Sequence, residues 1–164
     1  MGEGTKTGAA EGSRSVLSEI KIEPAKDGDV VAIAALLQAA ELPHEDFAAH
    51  IAHFLVARRE NEIVGAIGAE VCGDDALLRS LVVASRWRGA GIGDALLRAL
   101  EEKAAEWGVR RWWLLTTTAV KFFAQRRFRV TPRIEAPPAI AATAEFRELC
   151  PSVAVCLSRE RRGE

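Results

Sequence analysis

Arg88-Gly89-Ala90-Gly91-Ile92-Gly93 is the stretch whose residue types and spacing best suit chemistry. Glycines let a backbone turn sharply and approach a ligand closely. Successive amide N–H groups, backed by the positive end of a following helix, can then hold a pyrophosphate. Arg86 and Arg88 add cationic donors. Glycines at 89, 91 and 93 do not fit the spacing of a dinucleotide fingerprint, and the loop lacks the Gly-Lys-Ser/Thr ending of a magnesium-holding phosphate loop. Taken alone, it serves a structural turn as well as an anion site.

Other groupings are weaker. His50-x-x-His53 can put two imidazoles on one helical face, but a metal site needs at least one more ligand and none is apparent, so no metal is expected. Trp107, Trp112 and Trp113 have no basic groove beside them and read as packing residues rather than a platform for stacked bases. The 3 cysteines are few and odd in number, which fits reduced thiols in a cytoplasmic protein better than a disulfide framework.

The loop must be positioned by what flanks it. Residues 76–84 form a mostly apolar run, as a central strand would. Behind the loop, residues 93–107 predict an amphipathic helix with Leu97, Leu100, Ala104 and Trp107 on one face and Glu101, Glu102 and Glu106 on the other; Gly108 stops it. Upstream, residues 19–23 alternate as a strand closed by Pro24, and Asp27 or Asp29 caps a helix carrying Val30, Ile33, Ala34 and Leu37. A shorter helix carries Phe47, His50 and Ile51, and residues 53–59 and 62–72 read as strands joined at Glu60-Asn61, with Gly73-Asp74 the next turn. Downstream, the pattern predicts a strand over 111–117, a short helix over 119–126, a strand start at 128–130, a helix over 137–149 and a last strand over 153–157. Strands paired first by short turns and then linked through helices make an α/β (α+β) domain around one mixed, mostly antiparallel sheet of six to seven strands.

A length of 164 residues suits one domain and suffices to bury roughly two-thirds of the unfolded surface. With 49% hydrophobic and 27% charged residues, the composition is that of a globular protein. Residues 1–18 are expected to be a flexible tail without the apolar stretch of a signal peptide, 19–158 a single domain, and 159–164 a charged tail. A formal charge of -1 leaves no cationic excess for nucleic acid or anionic lipid, and the apolar run over 30–37 is too short to span a membrane. Neither is an expected partner.

Arg88-x-x-Gly91-x-Gly93, preceded by Leu81-Val82-Val83 and followed by a Leu-rich helix, resembles the acetyl-coenzyme A signature of the GNAT superfamily of N-acetyltransferases. The likeness extends from Glu19 to Arg129. It implies the GNAT fold and acetyl-CoA as cosubstrate, with the backbone of Leu81, Val82 and Val83 along the pantetheine arm. The amides of Arg88, Gly89, Ala90, Gly91, Ile92 and Gly93 would meet the pyrophosphate, and Thr116 and Phe123 would lie beside the same cofactor. Leu114-Leu115-Thr116-Thr117-Thr118-Ala119 and Thr143-Ala144-Glu145-Phe146-Arg147-Glu148-Leu149-Cys150-Pro151-Ser152 resemble the GNAT subgroup associated with arsenic resistance operons, and more distantly the domains that make N-acetylglutamate. That likeness implies a small amine acceptor, an amino acid or an arsenic-containing amino acid; many relatives in the wider family pair through their C-terminal strands, which leaves a homodimer open.

On this reading a neutral amine attacks the thioester directly, and a backbone N–H at Val82 or Val83, freed by a bulge or splay, meets the developing oxyanion. Glu70, late in a strand bordering the acceptor cleft, is the candidate base acting through water; a solvent-facing strand residue is the alternative. Arg79, Glu145 and Arg147 are candidate acceptor contacts, Arg147 as the partner of a carboxylate, and each serves equally as an ordinary surface charge. Two departures from the family stand out. Phe123 stands where many relatives place a tyrosine that protonates the leaving thiolate, and Arg127 stands where relatives commonly have glycine, so the short helix is expected to end differently. Cys150 and Cys156 are either a thiol pair for trivalent arsenic or two inert buried thiols. Arg126, Arg127 and Arg129 either contact the cofactor's adenosine phosphate or form a solvated surface. A non-catalytic module that senses coenzyme A or an arsenical is the rival reading, kept open by Phe123.

Overall fold

A computed structural model describes residues 16–149 and 152–161. Seven strands form one sheet: β1 (Lys21–Pro24), β2 (Phe54–Arg59), β3 (Glu62–Cys72), β4 (Asp75–Val83), β5 (Arg111–Thr116), β6 (Arg129–Val130) and β7 (Val155–Glu160), in the order β1-β2-β3-β4-β5-β7-β6. Every neighbour is antiparallel except β4 and β5. The helices α1 (Val30–Ala39), α2 (Ile92–Glu106), α3 (Val120–Ala124) and α4 (Pro138–Ala141) accompany them, with a 3-10 stretch at Phe47–His53 before β2. Among the described residues no helix is long and apolar enough to cross a membrane. This is the mixed α/β sheet that the pattern of turns and helices predicts.

Both faces of the sheet are covered, which is why β4 reads as nearly continuous apolar sequence. Ala76 and Leu78 pack with Ile92, Leu96, Leu100 and Ala104 of α2 on one face. On the other, Val82 joins Ile33 and Leu37 of α1 with Phe47 and Phe54, while Leu77 meets Trp113, Ile140 and Cys156. Trp112 and Trp113, adjacent in β5, are both fully buried, so packing accounts for them. Helix α2 ends as predicted. Gly108 (φ 74) takes the left-handed conformation that lets the Val109 N–H bond the Ala104 carbonyl at 3.0 Å.

Two irregularities in β4 shape the site. Ala66 pairs with Val82 but Gly68 pairs with Arg79, so β4 carries one extra residue at Ser80-Leu81, and Ser80 sits at φ 62. Opposite this bulge, Gly68 lies against the ring of Phe54, leaving no room for a Cβ. The second irregularity is the parallel pair. β4 meets β5 only over residues 75–77 against 111–113, and beyond them the strands part.

Three expectations need correction. The helix predicted over 137–149 is two pieces, α4 and a π turn at Glu145–Leu149. Thr143 interrupts it by bonding its hydroxyl to the Ile140 carbonyl at 2.7 Å, the competition with the backbone that unsettles short polar side chains in helices. Residues 159 and 160, expected to open a charged tail, belong to the sheet. β7 runs to Glu160, and buried Arg159 pairs with Glu101 and donates to the Arg126 carbonyl at 3.0 Å. At the other end, Val16 and Leu17 pack on the core instead of belonging to a tail.

Candidate active site

Where β4 and β5 part, each strand loses its neighbour, and the gap opens into a cavity of about 1120 Å³. Its wall includes Leu81, Val82, Val83, Arg88, Gly93, Thr116, Phe122 and Phe123. The Ala84 N–H donates to the Val64 carbonyl at 2.8 Å, so the alternation of an antiparallel ladder turns the amide of Val83 away from β3 and toward the gap. The Val83 carbonyl accepts the Nε–H of Arg88 at 2.9 Å, which ties the loop to the strand end.

The loop owes its shape to two glycines. Gly89 (φ 83) and Gly91 (φ 90) occupy the left-handed region, and Gly91 caps α2. Gly93 has ordinary helical geometry, and a Cβ there would meet nothing closer than 3.9 Å, from Phe122 and Val83, so the bare first turn faces open cavity. Ile92 instead buries its side chain in the core. The residues present therefore fit an extended phosphate-bearing ligand: an unpaired strand edge for a linear arm, then a helix N-terminus and an arginine for the phosphates.

At residue 79 the structure assembles something unforeseen. Arg79, fully buried, is held by Asp46 at 2.6 and 2.7 Å, by Glu70 at 2.8 Å and by Glu145 at 2.9 Å. Its Nε–H also reaches the hydroxyl of Ser80 at 3.0 Å, and His50 Nε2 lies 3.3 Å from the far oxygen of Glu70. Burial opposes the charge of Arg79, but its carboxylate partners raise its pKa; burial likewise opposes Asp46, yet the guanidinium holds that carboxyl below its ordinary value. Asp46, His50 and Glu70 lie close enough to hold a metal ion, but the guanidinium already sits on those carboxylates and a cation would have to displace it.

Of the residues singled out from sequence, Leu81, Val82, Val83, Arg88, Gly93, Thr116, Phe123, Arg79 and Glu145 line the cavity. Glu70 is buried, not solvent-facing, and its carboxylate is committed to Arg79 beside His50, off the cavity wall. Arg147 is exposed, paired with Glu148 at 3.5 Å, and also off the wall. Thr116 accepts the amides of Thr118 and Ala119 at 3.3 and 2.9 Å, fixing the entry to α3. Arg126 binds Asp94 at 2.9 Å and lies over the Phe122 ring, while Arg127 and Arg129 are exposed; none of the three lines the cavity. Cys150 lies outside the described residues, and burial pushes the Cys156 thiol up to about 11.

Missed from sequence were Asp46 and the acidic wall formed by Glu41, Glu45 and Glu148. The signal for Glu41, Glu45 and Asp46 was a largely polar run between two helical segments, indistinguishable from any surface loop, and Glu148 stood in a predicted helix like any surface charge.

A family model described as the acetyltransferase (GNAT) family matches residues 23–128. N-acetylglutamate synthase from Neisseria gonorrhoeae, complexed with coenzyme A and L-arginine, is similar at 25% identity over 86% of this chain, with a TM-score of 0.74. Only 33% of that protein is covered, so this chain spans about a third of its length. The Mycobacterium tuberculosis protein Rv2747, in complex with CoA, is 20% identical with a TM-score of 0.72, covering 85% of this chain and 98% of that one.

Proposed function

From the premise that this chain belongs to the acetyltransferase (GNAT) family, we propose that it is an acetyl-CoA-dependent N-acetyltransferase in which the gap between β4 and β5 holds the cofactor while the cavity below admits a small amine. One observation carries the placement. An unpaired strand edge leads directly into a loop with two left-handed glycines and a bare helical first turn, on the wall of a single cavity.

Bound there, acetyl-CoA supplies an acyl group already activated as a thioester. The rest falls to the chain. The Arg88 side chain and the amides of residues 89–93 would hold the phosphates, the Arg88 amide itself donating to the Ser85 carbonyl at 3.3 Å. The Val83 N–H, facing the gap, is a preorganised donor where negative charge develops on a carbonyl oxygen. Phe122 and Phe123 wall the site with apolar surface. A phenyl ring donates no proton, and the chain contains no tyrosine. A thiolate with a solution pKa near ~8.5 can leave without one, so Phe123 slows the reaction without forbidding it. Glu70 acts as a positioning residue through Arg79, in place of the direct base expected from sequence, and the acceptor attacks from its neutral fraction.

The narrower expectation, an arsenic-containing amino acid as acceptor, is supported by the resemblance of residues 114–119 and 143–152 alone. The raised Cys156 thiol disfavours a thiolate there and gives an arsenic-binding pair no support from the fold.

Gly93→Val tests the placement. Its φ and its surroundings admit a side chain, so the variant should melt with the wild type. Calorimetric affinity for coenzyme A should fall by about tenfold or more, because the new side chain projects where the phosphates sit. Unchanged affinity in the folded variant would refute the placement. Saturable acetyl-CoA binding without thiol release for any amine would favour the sensing module.

A further inference from the structure

Resting on the acetyl-transfer reading above, the charges around Arg79 narrow the acceptor. An amino acid acceptor needs a cation for its carboxylate. Arg79 is the buried guanidinium on the cavity wall, and Asp46, Glu70 and Glu145 already hold it. A substrate carboxylate could reach it only by displacing one of the three, leaving a buried acid without its counterion. Arg147, the residue expected to take a carboxylate, faces solvent off the wall. Arg88 belongs to the glycine loop, with its Nε on the Val83 carbonyl. The charged residues that residues 38–45 and the π turn place on the wall are instead acidic: Glu145 is taken up by Arg79 and Glu148 lies 3.5 Å from Arg147, while Glu41 and Glu45 face the cavity without an arginine or lysine partner among the described residues.

We infer that the acceptor is an amine with a second cationic group and no carboxylate, a diamine or polyamine. Two nitrogens resolve a conflict that one cannot. Carboxylates that hold an ammonium also favour its protonated form, which is no nucleophile. With a diamine, one ammonium stays against the acidic wall while the other nitrogen loses its proton to solvent and attacks. The new C–N bond forms as the C–S bond breaks, coenzyme A departs as the thiolate with the electron pair of that bond, and the nitrogen's second proton is released to solvent, from which the thiolate is protonated.

The test follows thiol release from acetyl-CoA by the full chain, comparing 1,5-diaminopentane with lysine, which differs by the carboxylate, with glutamate, and with butylamine. The kcat/KM for the diamine should exceed each of the others by about tenfold or more and fall as salt is added. Glu45→Gln and Glu148→Gln, both at exposed positions, should lower it several-fold while the KM for acetyl-CoA stays constant. Lysine or glutamate turned over as well as the diamine, or diamine kinetics indifferent to both variants, would overturn the inference. If the diamine is not turned over while calorimetry shows acetyl-CoA bound, the acceptor class is wrong and the cofactor reading survives. If acetyl-CoA itself does not bind, the cofactor reading fails and takes the inference with it.

Discussion

Arg79 joins three parts of the chain far apart in sequence: the loop before β2 through Asp46, β3 through Glu70 and the π turn through Glu145. It also stands next to Ser80, the left-handed residue of the bulge. Replacing it with methionine keeps much of the volume but leaves three carboxylates facing one another. Losing one partner of a buried ion pair costs about 3–5 kcal/mol, and urea unfolding of Arg79→Met at neutral pH should show a loss of that order. The loss should shrink on acidification. Without the guanidinium the acids repel, their pKa values rise, and protonation relieves the variant at a pH where the wild type is still fully paired. A deficit that stays constant from pH 7 to pH 5 would mean that the charges are not what holds this point. Glu70, Arg79 and Glu145 could each be picked out of the sequence, but their meeting could not. An ion pair between residues 46 and 79 leaves no periodicity, unlike the glycines of the loop, whose conformation is a local property.

The short helix α3 shows how an element can keep a geometry its sequence argues against. With arginine where relatives commonly have glycine, the helix is expected to end differently, yet Arg127 takes φ 72 and the Phe128 N–H still bonds the Phe123 carbonyl at 3.1 Å. Phe128 is buried against Phe123, and that packing imposes the left-handed turn on a residue that disfavours it. A Cβ in this conformation costs about 1–2 kcal/mol, so Arg127→Gly should raise unfolding stability by about 1 kcal/mol after the entropy cost of glycine. The exposed arginine lies off the cofactor cavity, so the KM for acetyl-CoA should not move. A destabilised Arg127→Gly would show instead that the side chain contributes contacts outweighing the strain. At this scale the sequence was most legible: the strand and helix order, the turns at Glu60 and Gly73 and the stop at Gly108 follow from local pattern. The bulge at Ser80 and the break at Thr143 do not, because each is settled by what packs around it: the crowding of Gly68 under Phe54, and the Thr143 hydroxyl against the Ile140 carbonyl.

Across the whole molecule, buried and paired groups bound the pH range in which the fold is most stable. On the acid side, burial and the nearby His50 lower the pKa of His53, so its contribution is present above the unfolded value near ~6.5 and lost as pH falls through the folded one. Glu23, paired with Arg58, and Asp29, whose burial is outweighed by the Lys26 amide and Arg58, are also lowered and add a second loss below about pH 4. On the alkaline side the sign reverses. Burial raises the Cys72 thiol and pushes Cys156 up to about 11, so the folded state keeps protons that the unfolded chain releases near ~8.5. Their contribution is complete below that value and is lost as pH climbs toward 11. With no tyrosine in the chain, no phenol titrates in the same window. Urea midpoints should therefore plateau between about pH 6.5 and 8.5 and decline on both sides. Cys156→Val, which fills nearly the same space without an ionisable group, should flatten the alkaline decline and leave the acid one untouched. Parallel curves for variant and wild type between pH 8.5 and 10.5 would show that Cys156 is not the group whose burial sets that limit.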